Sequence, residues 1–417
     1  MENFEFLLLS SPQIDCPELF SDFNLNSQQI TTLNNELIDN ILNLLANLNN
    51  YNIKHVLIPG GLFDTCNVRT QTQQKFVEVL AQNNDINFYI APISSNNNSF
   101  KLAYDNNLLK ALNLKTWSDN VHIFSSNEYQ SFAINKNIFI HGANYNYNFE
   151  PKPNLKIDEG LNILLLSIPY GRYYSNNFIF DNHFTYTCNI DQFIEKNVDF
   201  IATSSYVENN YTKENNTHIL STANTYITSK AIDEISNVSI VKLSGSPGNY
   251  NFNQQKVYDP WRKIINLTIN VGSLSSENLV NEIEALCHEV EAVKNSDLII
   301  LRLFGNYSID ENDYFKPIIN FLNDFYYYEI INEARPDYLA VQFKPDSIQL
   351  KYIEEIKNYK KEYANENISR LIPEDPDIQS ILDKQHKTID TSKIIDKALF
   401  YGLDALNNKM LRGYNVD

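Results

Sequence analysis

The sequence predicts an α/β (α+β) protein whose main body is a sandwich of two mixed β-sheets flanked by helices. Two observations carry this prediction. Short apolar runs alternate with helical patterns in the first third of the chain, and closely spaced strands follow over residues 121–140. The first pattern is typical of a parallel sheet covered by helices, whereas the second indicates a mixed sheet or a second, packed sheet.

The first elements form a β-α unit. A strand over residues 4–10 is followed by an amphipathic helix, a second strand, His55–Pro59, runs into a Gly60-Gly61 pair, and a helix over 71–81 and a strand over 87–91 come next. Short connections between strand, helix and strand predict parallel pairing. One face of the first helix carries the apolar side chains of Ile30, Leu33, Leu37, Ile41, Leu44 and Leu48.

Later apolar runs place strands at 162–166, 199–202, 239–243 and 264–270. Beyond residue 270 the pattern changes to a helix over 276–293, a strand over 297–304, a helix over 313–321 and a strand over 326–331. Charged helical segments then follow at 348–363, 377–384 and 391–409. We therefore expect a main domain over 1–270, a small α+β cap domain over 271–345 and a helical C-terminal region over 346–417.

Composition excludes several classes of protein. With 33 Lys and Arg against 51 Asp and Glu, the formal net charge is -18, which repels phosphate backbones and makes direct nucleic-acid binding doubtful. Asn is abundant in every segment but mixed with other residue types, so it does not form a prion-like tract. No apolar stretch is long enough for a membrane span and the N-terminus has no signal pattern, so we expect a cytoplasmic protein.

The cysteines and histidines form no metal-binding or catalytic motif. Cys16, Cys66, Cys188 and Cys287 lie far apart, which excludes a zinc knuckle and argues against a disulfide scaffold. The seven histidines include no pair at i,i+2 or i,i+4 spacing. His141, at the end of a strand, is the only one whose position attracts interest, since His55 and His122 open strands where core roles are usual.

The ends of the predicted strands carry the residues that bear on function. These ends are Ser11 and Gln13, then Gly61 and Asp64, then Ser94, Ser95 and Asn96, then Ser167, and finally Ser205 and Val207. Their order resembles that of the calcineurin-like metallophosphoesterases, most closely the SbcD/YhaO-type DNA-repair exonuclease subunits. The resemblance covers residues 1 to about 270, including a segment over 241–247 that is similar to the family's Tyr-x-Gly-Ser-Pro.

The resemblance implies a degenerate metal site. In the family, Asp-x-His, Gly-Asp-x-x-Asp, Gly-Asn-His-Asp, a single His and Gly-His-x-His hold two Mn or Mg ions that activate a hydroxide. Here hydroxyls, amides, a glycine and a valine stand at those positions, and of the motif carboxylates only Asp64 remains, which the family uses more for structure than for ligation. The sequence therefore predicts no metal cofactor and no catalytic residue.

Two functional hypotheses follow from the resemblance. The first is a pseudoenzyme that serves as a scaffold or regulatory subunit, in a complex of the DNA-repair type. The second is an active metal-dependent phosphodiesterase or DNA exonuclease with an unusual site. The substitutions favour the first, although the family is one of hydrolases.

The C-terminal helices are the expected interaction surface. Apolar stripes lie on otherwise charged segments, formed by Ile348, Ile353 and Ile356, then by Ile394, Ile395, Leu399, Leu403 and Leu406. The resemblance implies a protein partner, an SbcC/YhaN-type ATPase, with a homodimer as the alternative. Docking of these helices back onto residues 271–345 would explain the stripes equally well.

Overall fold

The structure is a computed structural model, and it describes residues 2–16, 20, 23–94, 97–146, 154–167, 190–205, 210–223, 238–257, 262–272, 274–307, 315–337, 343–363 and 391–406. The predicted helix over 377–384 lies outside these ranges. No helix in the part of the chain so described is long and apolar enough to cross a lipid bilayer.

Fifteen strands are described before residue 271. They are β1 (Glu2–Leu8), β2 (His55–Pro59), β3 (Asn87–Ala91), β4 (Ile93–Ser94), β5 (Val121–Ile123), β6 (Gln130–Asn135), β7 (Ile138–Gly142), β8 (Tyr145–Asn146), β9 (Leu161–Leu166), β10 (Phe200–Ser205), β11 (Asn210–Glu214), β12 (Thr217–Ala223), β13 (Ser239–Ser246), β14 (Asn249–Lys256) and β15 (Ile264–Asn270). The helices between them are α1 (Ser27–Ala46), α2 (Thr70–Gln82), α3 (Asn97–Tyr104), α4 (Asn106–Ala111) and α5 (Asp191–Ile194), with a 3-10 turn at Leu48–Tyr51.

Two mixed six-stranded sheets flanked by helices confirm the predicted fold class. The first sheet has the order β14-β13-β1-β2-β3-β5 and the second β11-β12-β10-β9-β7-β6. Strands β1, β2, β3 and β5 run parallel, whereas β13 is antiparallel to β1 and to β14. In the second sheet β7, β9, β10 and β12 run parallel, with β6 and β11 antiparallel at the edges.

The main core lies between the two sheets. Alternate residues of each strand enter it, such as Phe4, Phe6 and Leu8 of β1, and they meet Leu161, Ile163 and Leu165 of β9. On the opposite face of the first sheet, Val56 and Ile58 of β2 and Phe88 and Ile90 of β3 are also fully buried. Burial on both faces explains why these strands read as continuous apolar runs.

Helix α1 forms where the sequence predicts it. Asn26 and Gln29 form a capping box at its start, which satisfies backbone N–H groups that have no partner within the helix. Its buried side includes Leu33, Leu37, Ile41 and Leu44. The predicted apolar face extends to Leu48, but the α-helix ends at Ala46 and Leu48 belongs to the 3-10 turn.

The remaining elements are β16 (Leu298–Phe304), β17 (Asn306–Tyr307), β18 (Tyr327–Asn332), β19 (Arg335–Pro336), α6 (Ser276–Glu289), α7 (Lys316–Leu322), α8 (Ile348–Tyr363) and α9 (Thr391–Leu406). Strands β15, β16 and β18 form a three-stranded sheet in that order. The chain separates into one compact unit of Met1–Asn266, His288–Ile300 and Leu322–Glu329, and another of Leu267–Cys287, Leu301–Phe321 and Ile330–Asp417. The expected division at residues 270 and 345 stays a prediction.

The two C-terminal helices pack on each other. Ile353 of α8 is buried against Leu399 and Leu403 of α9. The Tyr352 hydroxyl donates to the Ala398 carbonyl at 2.7 Å, and Lys360 forms an ion pair with Asp396. The two predicted apolar stripes therefore cover one another in part.

Candidate functional site

The candidate site is the edge where the parallel strands of both sheets end. Strands β1, β2 and β3 of the first sheet and β9 and β10 of the second carry the predicted site residues just beyond or at their carboxyl ends. Carboxyl ends of parallel strands are where α/β proteins place ligands. The hydrogen bonds of these residues therefore decide whether the edge can hold one.

Ser167 joins three strand ends. It follows β9 directly, is buried, and its hydroxyl donates to the Ala91 carbonyl at 2.5 Å while accepting from the Gly60 N–H at 3.1 Å. Ala91 ends β3 and Gly60 follows β2. A side chain of the second sheet thus satisfies two backbone groups of the first, at the place where the resemblance puts a metal-binding imidazole.

Ser11 and Gly61 lie beside this bridge and also bond through their backbones. The Ser11 N–H donates to the Pro59 carbonyl at 2.8 Å, and the Gly61 N–H donates to the Ala91 carbonyl at 3.0 Å. Gly61 has a φ of 80°, and an added Cβ would lie 3.2 Å from the Ile93 nitrogen. A side chain such as Asp at this position would therefore strain the loop.

The hydroxyls of Ser94 and Ser10 also have side-chain partners. The Ser94 hydroxyl donates to the Asn144 side-chain oxygen at 3.1 Å and is buried. The hydroxyl of Ser10, the residue before Ser11, contacts that of Thr222 in β12. Sequence reasoning misses Ser10, Asn144 and Thr222, because their partners are remote in the chain and no local pattern marks them.

Asp64 serves the loop after β2. Its carboxylate accepts the Cys66 N–H at 3.0 Å and the Asn67 side-chain N–H at 2.7 Å. Its backbone N–H donates to the Ile14 carbonyl, which ties this loop to the one after β1. All the polar contacts found for Asp64 hold turns and loops together.

The structure brings three of the predicted positions together at one edge. Ser11, Gly61 and Ser167 are linked through Pro59, Gly60 and Ala91, as described above. Ser205 ends β10 and pairs in register with Ala223, the neighbour of Thr222. Gln13 is half-buried with a φ of 45°, and its carbonyl accepts the Cys16 N–H. Ser95, Asn96 and Val207 lie outside the described residues.

The described residues at this edge do not supply the ligands of a two-metal site. Such a site needs several carboxylates and neutral imidazoles that converge. Within the described ranges, no three His, Cys, Asp or Glu side chains come close enough to hold an ion. The Ser167 hydroxyl bonds backbone groups, that of Ser94 bonds the Asn144 side chain, and those of Ser10 and Thr222 contact one another.

Two imidazoles of the second sheet, those of His141 and His218, lie within packed strands instead. His141 is fully buried, with its ring between the Ser131 hydroxyl at 2.6 Å and the Asn162 side-chain oxygen at 2.9 Å. His218 bonds the Tyr250 carbonyl and the Tyr211 hydroxyl. Burial lowers the pKa of both rings below the usual value. His141, which the sequence singles out because it ends a strand, therefore has a structural role.

Comparisons with known proteins assign no family. No family model and no curated protein matches the sequence. Among solved structures, the chain is similar to TT1561 of Thermus thermophilus, with 8% identity, coverage of 60% of this chain and 98% of that one, and a TM-score of 0.33. For a dimetal phosphatase from Danio rerio the identity is 9%, the match covers 61% of this chain and 98% of that one, and the TM-score is 0.33. For Vacuolar Protein Sorting 29 from Cryptosporidium parvum the identity is 14%, the coverages are 62% and 99%, and the TM-score is 0.26. Identities and TM-scores this low show neither family nor activity.

Proposed function

We propose that this chain is a catalytically degenerate relative of the metallophosphoesterases that acts as a scaffold or regulatory subunit. The observation that carries the proposal is the Ser167 bridge. A hydroxyl stands where the resemblance calls for an imidazole, and both of its hydrogen bonds go to backbone groups at the ends of β2 and β3. At this edge Ser167 therefore connects the two sheets through hydrogen bonds.

Metal binding and hydrolysis are the direct test. Mn²⁺ is titrated into the full chain by calorimetry, and hydrolysis of bis(p-nitrophenyl) phosphate and of linear DNA is measured with Mn²⁺ and with Mg²⁺. We expect no stoichiometric Mn²⁺ uptake. Any hydrolysis that is measured for the wild type should persist in the Asp64→Asn variant. Saturable uptake of Mn²⁺, with hydrolysis lost when a bound ligand is replaced, would establish the alternative of an active phosphodiesterase or exonuclease.

The proposed partner surface is the outer side of the α8–α9 pair. Ile348 at the start of α8 has 65% of its surface exposed, and Leu406 at the end of α9 has 36% exposed. A partner that covers these apolar side chains would remove their surface from water, which favours association. The proposed occupant is a coiled-coil ATPase of the SbcC/YhaN type, in a complex of the DNA-repair type.

Co-expression with such an ATPase tests the partner. Ile348→Asp should reduce co-purification strongly while leaving thermal stability unchanged, because Ile348 contributes little to the pair's own core. Asn358→Asp is the matched control, since it adds the same charge at another exposed position of α8. Equal co-purification of both variants with the wild type would remove the helix pair as the docking surface.

A further inference from the structure

Among the four edges of the two six-stranded sheets, one lacks the features that normally prevent strand addition. Edge strands are usually kept apart by short length, bulges or charged residues. Strand β5 has three residues, β6 has a register shift between Ala133 and Asn135, and β11 carries Lys213 and Glu214. Strand β14 has eight residues, pairs with β13 without interruption, and has Lys256 as its single charged side chain.

The hydrogen bonds of β14 show which of its backbone groups point outward. The Val257 N–H, just beyond the strand, donates to the Val238 carbonyl of the chain before β13. Because antiparallel residues alternate between bonded and non-bonded pairs, the odd-numbered residues of β14 bond β13. The N–H and C=O groups of Phe252, Gln254 and Lys256 therefore face away from the sheet, and no residue in the described ranges pairs with them.

The carbonyl of Tyr250, the outward-facing residue that precedes Phe252, already accepts a hydrogen bond. The Tyr250 oxygen accepts the His218 ring N–H at 2.7 Å, so the second sheet covers that end of the edge. The Phe252 ring stacks on Tyr211 of β11 at 4.4 Å, with the two planes 7° apart. The edge that can accept a new strand is therefore limited to residues 252–256.

We propose that this edge pairs with the same edge of a second copy of the chain. A two-fold axis perpendicular to the sheet places Gln254 opposite Gln254 of the second copy, and Phe252 opposite Lys256. Each opposite pair exchanges two N–H···O bonds, so every outward group of the segment finds a partner. Opposite residues point to the same side of the sheet, which keeps the inner faces of both copies together.

The charges of the segment favour a second copy over a foreign peptide. At a net charge of -18 two copies repel one another in general, but this strand adds no negative charge to the interface. In the proposed register Lys256 faces Phe252 and not another lysine, and Asn253 faces Gln255, so that amides face amides. A strand with a single charged side chain offers no charge pattern by which to select a foreign segment.

The oligomeric state of the full chain is the first test, and it does not depend on the proposed function. Sedimentation over a range of concentrations should show a reversible dimer. Gln254→Pro should weaken it roughly 10- to 100-fold, because symmetry doubles the loss of one outward N–H. Proline is compatible with an edge position whose N–H does not bond the sheet, so the backbone pairing of β13 and β14 is kept, and only the bond from the Gln254 side chain to the Ser239 hydroxyl at 2.9 Å is lost.

A charge pair of variants provides the matched control. Gln254→Lys places two lysines opposite one another and should also disrupt the dimer. Asn249→Lys adds the same charge to an exposed position of the same strand outside residues 252–256, and should leave the dimer intact. A monomer at all concentrations, or a dimer that survives both Gln254 substitutions, would refute the proposal.

Cross-linking tests the register. In a Cys66→Ser background, which removes an exposed thiol, Gln254→Cys is treated with oxidised glutathione. Two facing thiols then form one disulfide between the copies and release two reduced glutathione molecules, since opposite residues lie at the distance that a disulfide spans. We expect a covalent dimer for Gln254→Cys and none for Asn249→Cys, and the reverse result would exclude this register.

Discussion

The two ends of strands β2 and β3 differ in chemistry. At the carboxyl ends, Gly60 and Ala91 are bonded by the hydroxyl of Ser167, and no titratable group takes part. Toward the amino ends the ring centroids of His55 and Tyr89 are 6.2 Å apart, and Tyr89 stacks on His122 at 4.8 Å. The chain thus contains imidazoles, but these two lie at the end of the strands opposite to the one where the resemblance expects them.

The environment of the two histidines keeps them neutral. Burial, and to a smaller extent the charge of His122, lowers the pKa of His55 to about 4. Burial also lowers the pKa of His122, whose ring bonds the Asn87 side-chain oxygen at 3.2 Å. Packing between rings thus explains both histidines without a ligand, so residue type alone does not identify a metal site.

The largest expected effect comes from placing an imidazole at the carboxyl ends of the strands. Ser167→His should lower the free energy of unfolding by about 2–3 kcal/mol, because a larger ring must fit a buried, fully bonded position. Ser167→Ala, which removes only the hydroxyl, should cost about 1–2 kcal/mol. Chemical denaturation measures both losses, and a stable Ser167→His protein that takes up Mn²⁺ would show that the edge can form a metal site.

The second prediction concerns the amino end and its pH dependence. The folded protein holds His55 neutral, whereas the unfolded chain binds a proton near pH 6.5, so this contribution is fully present above pH 6.5 and is lost as pH falls toward about 4. His55→Phe should be nearly neutral at pH 7, because the Nδ1 atom of His55 has no hydrogen-bond partner and the ring packs 5.0 Å from Phe4. At pH 4.5 the variant should be roughly 1–2 kcal/mol more stable than the wild type, a value reduced for the partial exposure of the site.

Thermal unfolding at several pH values checks this difference. Lys54→Gln, at an exposed neighbouring position whose ion pair with Asp85 is on the surface, is the control and should not change the pH profile between 4.5 and 7. Parallel profiles for His55→Phe and wild type would mean that His55 is accessible to protons in the folded state.

The smallest effect is expected at Asp64. Asp64→Asn keeps an oxygen that can accept the Cys66 N–H, so it should cost only a few tenths of a kcal/mol, whereas Asp64→Ala should cost about 1 kcal/mol. Denaturant midpoints of the two variants give the comparison. A loss well above 2 kcal/mol for Asp64→Asn would indicate that the carboxylate charge itself matters.

The apolar strands could be located from the sequence. The bounds of β2, β3 and β15 are those expected, and β9 and β16 differ by one residue at one end, because burial on at least one face leaves a direct hydrophobic pattern. The sequence also places Ser11, Gly61 and Ser167 at strand ends, and parallel pairing then brings such ends together. The two mixed sheets follow from the same strand spacing.

The roles of the polar residues depend on contacts between distant segments. Strands β11 and β14 are rich in polar residues and lack a predictive pattern, because a strand at a sheet edge is stabilised by its neighbour's backbone and not by its own hydrophobic periodicity. The Ser167 bridge depends on Gly60 and Ala91, which are remote from it in the chain. Hydrogen bonds between such distant segments leave no periodic signal in the sequence. The sequence therefore located the candidate edge, while the fold determined that the Ser167 hydroxyl binds backbone groups there.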